Sequence, residues 1–260
     1  MFPKIVEIGP FYLPAYGALV ALGFLAGLAV TSKLAKRRRL DPEKISNLAI
    51  YCAIAGLLGA KLLMFAFDWE LYAKDPSRIL SLETLQSAGV YQGGFVVAFA
   101  FGWWWMKRNG LAVLPTLDLF APGIALGHAV GRLGCFAAGC CWGAKCDRPW
   151  AVTFTKPDAN DMTGVPLNVP LHPTQLYESV AELAIFAALW VFANRNPRPG
   201  SAMGLYLVLY SAVRFFVEFY RVHLQDLPFG GPWSLTQWIA VAMAAAGLWM
   251  MAKAPRHANG

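Results

Sequence analysis

The chain has 260 residues, of which 57% are hydrophobic and only 14% charged, and its mean hydropathy is +0.46. One soluble core does not hide that much apolar surface, which excludes an ordinary soluble domain and points to the bilayer as solvent. A formal net charge of +7 raises nucleic acid as a partner. The densest basic run, Lys33–Arg39, directly follows an apolar stretch, however, and reads as a stop signal facing anionic lipid, so nucleic-acid binding is set aside.

Taken in chain order, seven apolar stretches approach the length that crosses about 30 Å of hydrocarbon as a helix. They cover 11–32, 46–67, 88–106, 115–135, 173–193, 203–222 and 232–252. The fold class is therefore all-α, a polytopic membrane protein of seven transmembrane helices. Residues 1–260 read as a single membrane-embedded domain without tandem repeats. Positive charges follow the first stretch instead of preceding it, so it reads as a retained span and not as a cleaved signal peptide.

Loops on the cytoplasmic side carry the excess of Lys and Arg. With the N-terminus outside, the cytoplasmic loops hold Lys33, Lys36, Arg37, Arg38, Arg39, Lys44, Lys107, Arg108, Arg195, Arg198, Lys253 and Arg256. The other side holds Lys4, Lys74, Arg78, Lys145, Arg148 and Lys156. This places the C-terminus in the cytoplasm and the longest segment between spans, at about 136–171, outside.

Four basic residues remain inside the spans: Lys61, Arg132, Arg214 and Arg221, accompanied by the acidic Asp118, Glu178, Glu182 and Glu218. A charge in lipid costs several kcal/mol, so such residues face a polar interior and mark function. Lys61, Arg221 and Asp118 also admit plainer readings, by snorkelling or by lying near a boundary. Arg214, Glu218 and Arg221 are spaced by four and three, which predicts one charged face on the sixth span. Arg132, near the outer end of the fourth span, reaches the same leaflet. Arginine offers a planar fork of donors that matches phosphate, and the abundant phosphate of a membrane is a lipid headgroup. An internal Arg–Glu pair that only ties helices together is the plainer alternative.

Three elements carry a resemblance: Gly131-Arg132-Leu133-Gly134-Cys135-Phe136 through Gly139 and Gly143, His172-Pro173-Thr174-Gln175-Leu176-Tyr177-Glu178, and Arg214-x-x-x-Glu218-x-x-Arg221. With Tyr16-Gly17, Gly59-Ala60-Lys61-Leu62 and Gly93-Gly94 in order along the chain, the sequence resembles the prolipoprotein diacylglyceryl transferase family. The resemblance implies transfer of an sn-1,2-diacylglyceryl group from phosphatidylglycerol to the lipobox cysteine of a pre-prolipoprotein. The products are a thioether and glycerol 1-phosphate, the site is in the bacterial cytoplasmic (inner) membrane, and no metal or organic cofactor is implied. It also implies Arg132 and Arg214 as the catalytic cations, with Glu218 orienting Arg214. Tyr16, Gln92, Gly93, Gly94, His128, Gly143, His172, Gln175, Tyr177, Glu178 and Arg221 are then the candidate substrate contacts.

The sequence departs from that family's pattern at Cys135, Ala138 and Cys140, where the signature has Asn, Asn and Glu, and at Gln92, where many members have His. A neutral amide takes no proton near pH 7, which leaves the general base unassigned. His128, four residues before Arg132 on the same face, Tyr91 and Glu218 are candidates, as are the substrate's own phosphate oxygens. Cys135, Cys140, Cys141 and Cys146 fall within one short stretch and suit either a disulfide or free thiols, whereas their spacing argues against zinc. Cys52 reads as a small apolar core residue. Two rival classes are a membrane thiol-disulfide oxidoreductase, against which stands the lack of Cys-x-x-Cys, and an anion transporter, against which stands the lack of an inverted repeat.

Overall fold

The computed structural model describes residues 2–9, 11–81, 84, 89–222 and 231–254. Arg256, counted above on the cytoplasmic side, lies outside the described residues. The described chain divides into two compact units, residues 1–34 with 117–260, and residues 35–116.

In the first unit, strand β1 (Lys4–Ile8) pairs antiparallel with β2 (Phe11–Pro14), Glu7 opposite Tyr12, and leads into helix α1 (Ala15–Arg37). The first helix thus starts four residues later than its hydropathy suggests, because 11–14 are paired as a strand. It runs on to Lys36 and Arg37, cations that suit the negative end of the helix dipole. Helix α1 lies against α5 (Val113–Ala138) through glycines: a Cβ on Gly27 would stand 2.5 Å from the Gly123 carbonyl oxygen, and one on Gly23 2.7 Å from that of Gly127. Lipid is as apolar as leucine, so backbone proximity and dispersion, not exclusion of water, hold such helices together.

Helices α7 (Thr174–Asn194), α8 (Ser201–Glu218) and α9 (Leu235–Lys253) complete the first unit's long helices. Ala121, Ala125, Ile185, Leu189, Ala202, Met203 and Tyr206 form its main apolar cluster. Asp118 is buried and accepts from the backbone N–H groups of Gly200, at 2.6 Å, and Met203, at 2.9 Å. It therefore caps the start of α8 from a neighbouring helix, satisfying amides that a helix N-terminus leaves orphaned. Between α5 and α7 the chain forms a small folded segment. Strand β3 (Val152–Thr153) pairs with β4 (Pro170–Leu171), helix α6 (Pro157–Thr163) lies between them in sequence, and Phe154, Ala159, Val165 and Leu171 are its core. The two short ribbons are the departures from an all-helical chain.

The second unit consists of α2 (Pro42–Phe67), α3 (Trp69–Lys74), a 3₁₀ turn (Pro76–Leu80) and α4 (Tyr91–Arg108). Asp41 caps α2 by accepting from the N–H groups of Glu43 and Lys44. Lys61 donates to the Thr84 carbonyl, a tie inside the protein in place of snorkelling into headgroups. Helices α2 and α4 approach at Gly59 and Gly93, where a Cβ on Gly93 would stand 2.5 Å from the Gly59 carbonyl oxygen and 2.5 Å from Leu63 Cβ. Both contacts are to parts of the chain that cannot swing away. Gly93→Ala is therefore expected to destabilise this pair by about 1–3 kcal/mol, the cost of overpacking. Thermal unfolding in detergent checks it, and an unchanged midpoint would contradict the close approach.

Helices α1, α2, α5, α7, α8 and α9 are long and apolar enough to cross a membrane, which makes the chain a multi-pass membrane protein. Helix α4 falls outside these six; it carries Trp103, Trp104 and Trp105 and ends on Lys107 and Arg108. Large side chains such as Leu57, Leu62, Phe99, Phe95 and Trp249 are more than half exposed, a surface that suits lipid and not water.

Candidate active site

Helix geometry places the site's groups in rows within the first unit. On α5, His128, Arg132 and Cys135 follow at spacings of four and three, so they line one face. On α7, Gln175, Glu178 and Glu182 do the same and all three are buried. The Ser179 hydroxyl donates to the Ala129 carbonyl at 2.9 Å, which fixes the register of α7 on α5. That register sets Glu178 opposite Arg132 and Glu182 opposite His128.

Glu178 is the hub. One of its oxygens lies 2.5 Å from Arg132 Nη2, and the other lies 3.9 Å from Arg214 Nη1 and 3.8 Å from Arg221 Nη1. Its side chain is 2% exposed, against 13% for Arg132, 15% for Arg214 and 21% for Arg221. Arg214 also meets Glu218 at 2.8 Å, and the second Glu218 oxygen accepts from the Ser234 hydroxyl at 3.0 Å. Glu218 is thereby held from two sides and in turn holds Arg214, the orienting role the motif implies.

Arg221 reaches this hub by a route the helical spacing did not anticipate. Helix α8 ends at Glu218, so Arg221 is not on its face; the chain turns through Phe219 and Tyr220 and pairs Arg221 with Gly143 in an isolated β-bridge. Gly143 is clamped there, since a Cβ on it would stand 2.6 Å from the Tyr220 carbonyl oxygen and 2.7 Å from His172 Cβ. Beside the bridge, His172 Nδ1 lies 3.0 Å from the Tyr177 hydroxyl, which accepts from Trp150 Nε1 at 2.8 Å. The Tyr220 ring packs on both His172 and Tyr177. His172, Tyr177 and Gly143 therefore support the backbone that carries Arg221.

Some groups of the cluster have bonding capacity left over. Arg132 Nε, Arg214 Nη1 and both oxygens of Glu178 are buried without a hydrogen bond, although ion-pair contacts surround them. Proximity of charge without aligned hydrogen bonds leaves these donors with capacity for a further acceptor. Three guanidinium groups sharing two carboxylates also leave one positive charge uncompensated among these five residues.

Glu182, named above only as an acidic residue within a span, gains a partner, and Tyr210 and Ser211 are additions to the sequence reading. Glu182, fully buried, lies 3.2 Å from His128 Nδ1 and gives that histidine a carboxylate partner. Tyr210 packs its ring 5.4 Å from that of His128, and the buried Ser211 hydroxyl has no hydrogen-bond partner among the described residues. Tyr210 and Ser211 precede Arg214 by four and three residues. The same-face rule that joined Arg214 to Glu218 finds both when run toward the N-terminus.

All five cysteines are free thiols. The sulfurs of Cys135, Cys140 and Cys141 lie within 4.8 Å of one another, while Cys146 is buried outside that group and its N–H donates to the Pro170 carbonyl. Gln175 Nε2 donates to the Cys140 carbonyl at 2.6 Å, and the Thr174 hydroxyl to that of Cys141 at 2.8 Å. The Cys141 thiol is held well below the usual thiol range, first by hydrogen bonds from Cys135 and Cys140 and then by the positive charges of Arg132 and Arg221. Tyr16, on α1, is within electrostatic reach of Arg132 and of the three cysteines. Gln92, Gly93 and Gly94 belong to the other unit, at the start of α4, where Gly93 serves the crossing with α2.

A family model described as prolipoprotein diacylglyceryl transferase matches residues 3–253. The chain is 34% identical over 260 residues to the phosphatidylglycerol–prolipoprotein diacylglyceryl transferase of Gloeobacter violaceus, covering 96% of this chain and 92% of that one. The protein of the same name from Clostridium tetani is 34% identical over 222 residues, 85% of this chain and 86% of its own. That of Pseudomonas fluorescens strain SBW25 is 33% identical over 262 residues, 96% of this chain and 92% of its own.

Proposed function

The chain belongs to the prolipoprotein diacylglyceryl transferase family, and from that premise we propose that Arg132, Arg214 and Arg221 hold the phosphate of phosphatidylglycerol while a prolipoprotein cysteine attacks its diacylglyceryl carbon. The observation that carries this reading is the half-buried trio of guanidinium groups around the buried Glu178, with one positive charge in excess of the two carboxylates. A phosphodiester carries one negative charge, the amount that excess neutralises.

In the reaction a sulfur–carbon bond forms and the carbon–oxygen bond to phosphate breaks. The electron pair leaves on the phosphate oxygen, and the thiol proton goes to the departing glycerol 1-phosphate or to water. Charge on the phosphate grows along this path, so donors already fixed in a dry site stabilise the transition state more than the ground state. Glu178 and Glu218 fix the forks of Arg132 and Arg214, so little reorganisation is needed when charge develops. The nucleophile is the cysteine of a lipobox peptide, and the enzyme works in the bacterial cytoplasmic membrane. Helix α4 acts as a seventh span, with the N-terminus outside, in keeping with the basic loop residues Lys107 and Arg108 at its end.

Binding of phosphatidylglycerol to the purified protein, compared with diacylglycerol of the same acyl chains, tests the phosphate contact. Phosphatidylglycerol is expected to bind more tightly, with the advantage lost in Arg214→Ala; equal binding of the two lipids would contradict it. Gln92 cannot serve as a base, so Gln92→Ala is expected to keep transfer within a few-fold of the unmodified protein. A loss as deep as that of an arginine variant would instead make Gln92 a substrate-positioning residue.

A further inference from the structure

We propose that Cys135, Cys140 and Cys141 form a three-thiolate site for a zinc ion, with a fourth coordination position open to an incoming thiol. Their three sulfurs lie within 4.8 Å of one another, and Zn–S bonds of about 2.3 Å in a tetrahedron need sulfurs roughly 3.8 Å apart. Closing by an ångström or less is a matter of side-chain rotation. Linear spacing argues against such a site, with Cys135 in the last turn of α5 and Cys140-Cys141 beyond its end. The turn between them overrides that spacing.

The backbone is arranged to bring these sulfurs together. Gly139 turns the chain at φ +83°, and the N–H groups of Gly139 and Cys140 both donate to the Cys135 carbonyl, at 3.0 and 3.1 Å. Cys141 itself sits at φ +61°, a left-handed conformation that a side chain such as cysteine seldom adopts and that marks a constrained site. The fully buried Gln175 and Thr174 lock the carbonyls of Cys140 and Cys141 from outside. Soft thiolates favour zinc over the hard cations, and a site with three protein ligands keeps a place for a reactant. Cys135 is buried while Cys140 and Cys141 are half-buried, which leaves a side for that reactant to enter. Arg132 and Arg221 lie within electrostatic reach of Cys141.

The metal site stands on this geometry, whereas its use rests on the transferase reading. A thiol that binds zinc does so as the thiolate and releases its proton to water. The zinc-bound sulfur then forms the bond to the diacylglyceryl carbon as the phosphate departs with the electron pair, and the metal changes no oxidation state. Such a site supplies the nucleophile without a protein base at the position that Gln92 occupies.

Cobalt(II) titration of the reduced, full-length protein in detergent is the test. One equivalent is expected to produce sulfur-to-cobalt charge transfer and the visible bands of a tetrahedral ion, displaced by zinc. Cys135→Ser, Cys140→Ser and Cys141→Ser should each lose most of that signal, and Cys52→Ser and Cys146→Ser should keep it. Thermal melting establishes that each variant is folded. A lipobox peptide should shift the visible bands and its Cys→Ser version should not. Absence of stoichiometric bands in the unsubstituted protein, or a disulfide from Cys135 to Cys140 or Cys141 in the protein as purified, would overturn the site. Bands without a peptide shift would overturn the open position. Bands and shift without any diacylglyceryl transfer would uphold the site and count against the transferase reading.

Discussion

Arg132→Ala is expected to lower the rate of transfer by about 10²–10³-fold, the usual cost of removing one fixed donor from a site where negative charge develops. Arg132 carries a buried, unpartnered Nε beside its short contact to Glu178, so its fork is both positioned and available. The loss should fall mainly on the chemical step, because the phosphate still meets Arg214 and Arg221 in the ground state. Arg132→Lys keeps the charge but not the planar fork, and is expected to recover only part of the rate. Initial rates with phosphatidylglycerol and a lipobox peptide, alongside thermal melting, separate catalysis from folding. Full activity in Arg132→Ala would remove this residue from the reaction.

Glu178→Ala is expected to have the largest effect on stability, about 3–5 kcal/mol, because it leaves buried charges without their shared counter-ion. Its side chain is almost wholly enclosed and is in ion-pair range of three arginines, of which Arg214 is also in range of Glu218. Glu178→Gln preserves shape and removes charge, so it should recover packing but not the electrostatic part of the loss. Thermal unfolding of the three proteins in one detergent measures this. A midpoint unchanged in Glu178→Ala would mean the arginines find compensation elsewhere and that Glu178 is not the hub.

Hydropathy located the long helices, because length and apolar content are local properties of the chain. It missed the strand at 11–14 and placed the start of the first helix too early, since pairing with Lys4–Ile8 depends on a partner outside the window. Periodicity joined Arg214 to Glu218 and failed for Arg221, whose place comes from a bridge to Gly143 after the helix has ended. Glu178 read as one polar contact among several. Its central position depends on the register of α7 on α5, which Ser179 and Ala129 help set and which no spacing within one helix reveals. The pairing of His128 with Glu182 was hidden for the same reason. The three converging thiols required backbone angles at Gly139 and Cys141 that cysteine spacing does not report.

The relation to the family bears on how its chemistry is distributed here. Cys135 and Cys140 stand where the resembling signature has polar side chains, while the arginines and Glu218 match it. On the reading proposed here, the residues assigned to the phosphate keep the resembling signature, and the altered positions include Cys135 and Cys140 of the proposed metal site. That reading predicts an altered dependence on thiol and metal with an unaltered demand for an anionic lipid.

Incubation of the purified protein with labelled phosphatidylglycerol and a lipobox peptide, followed by mass analysis of the peptide, tests diacylglyceryl transfer itself. A gain of one diacylglyceryl group on the cysteine is expected, with none on a Cys→Ser peptide and loss of the product in Arg214→Ala. No transfer by a folded protein supplied with zinc, or equal transfer by Arg214→Ala, would contradict it.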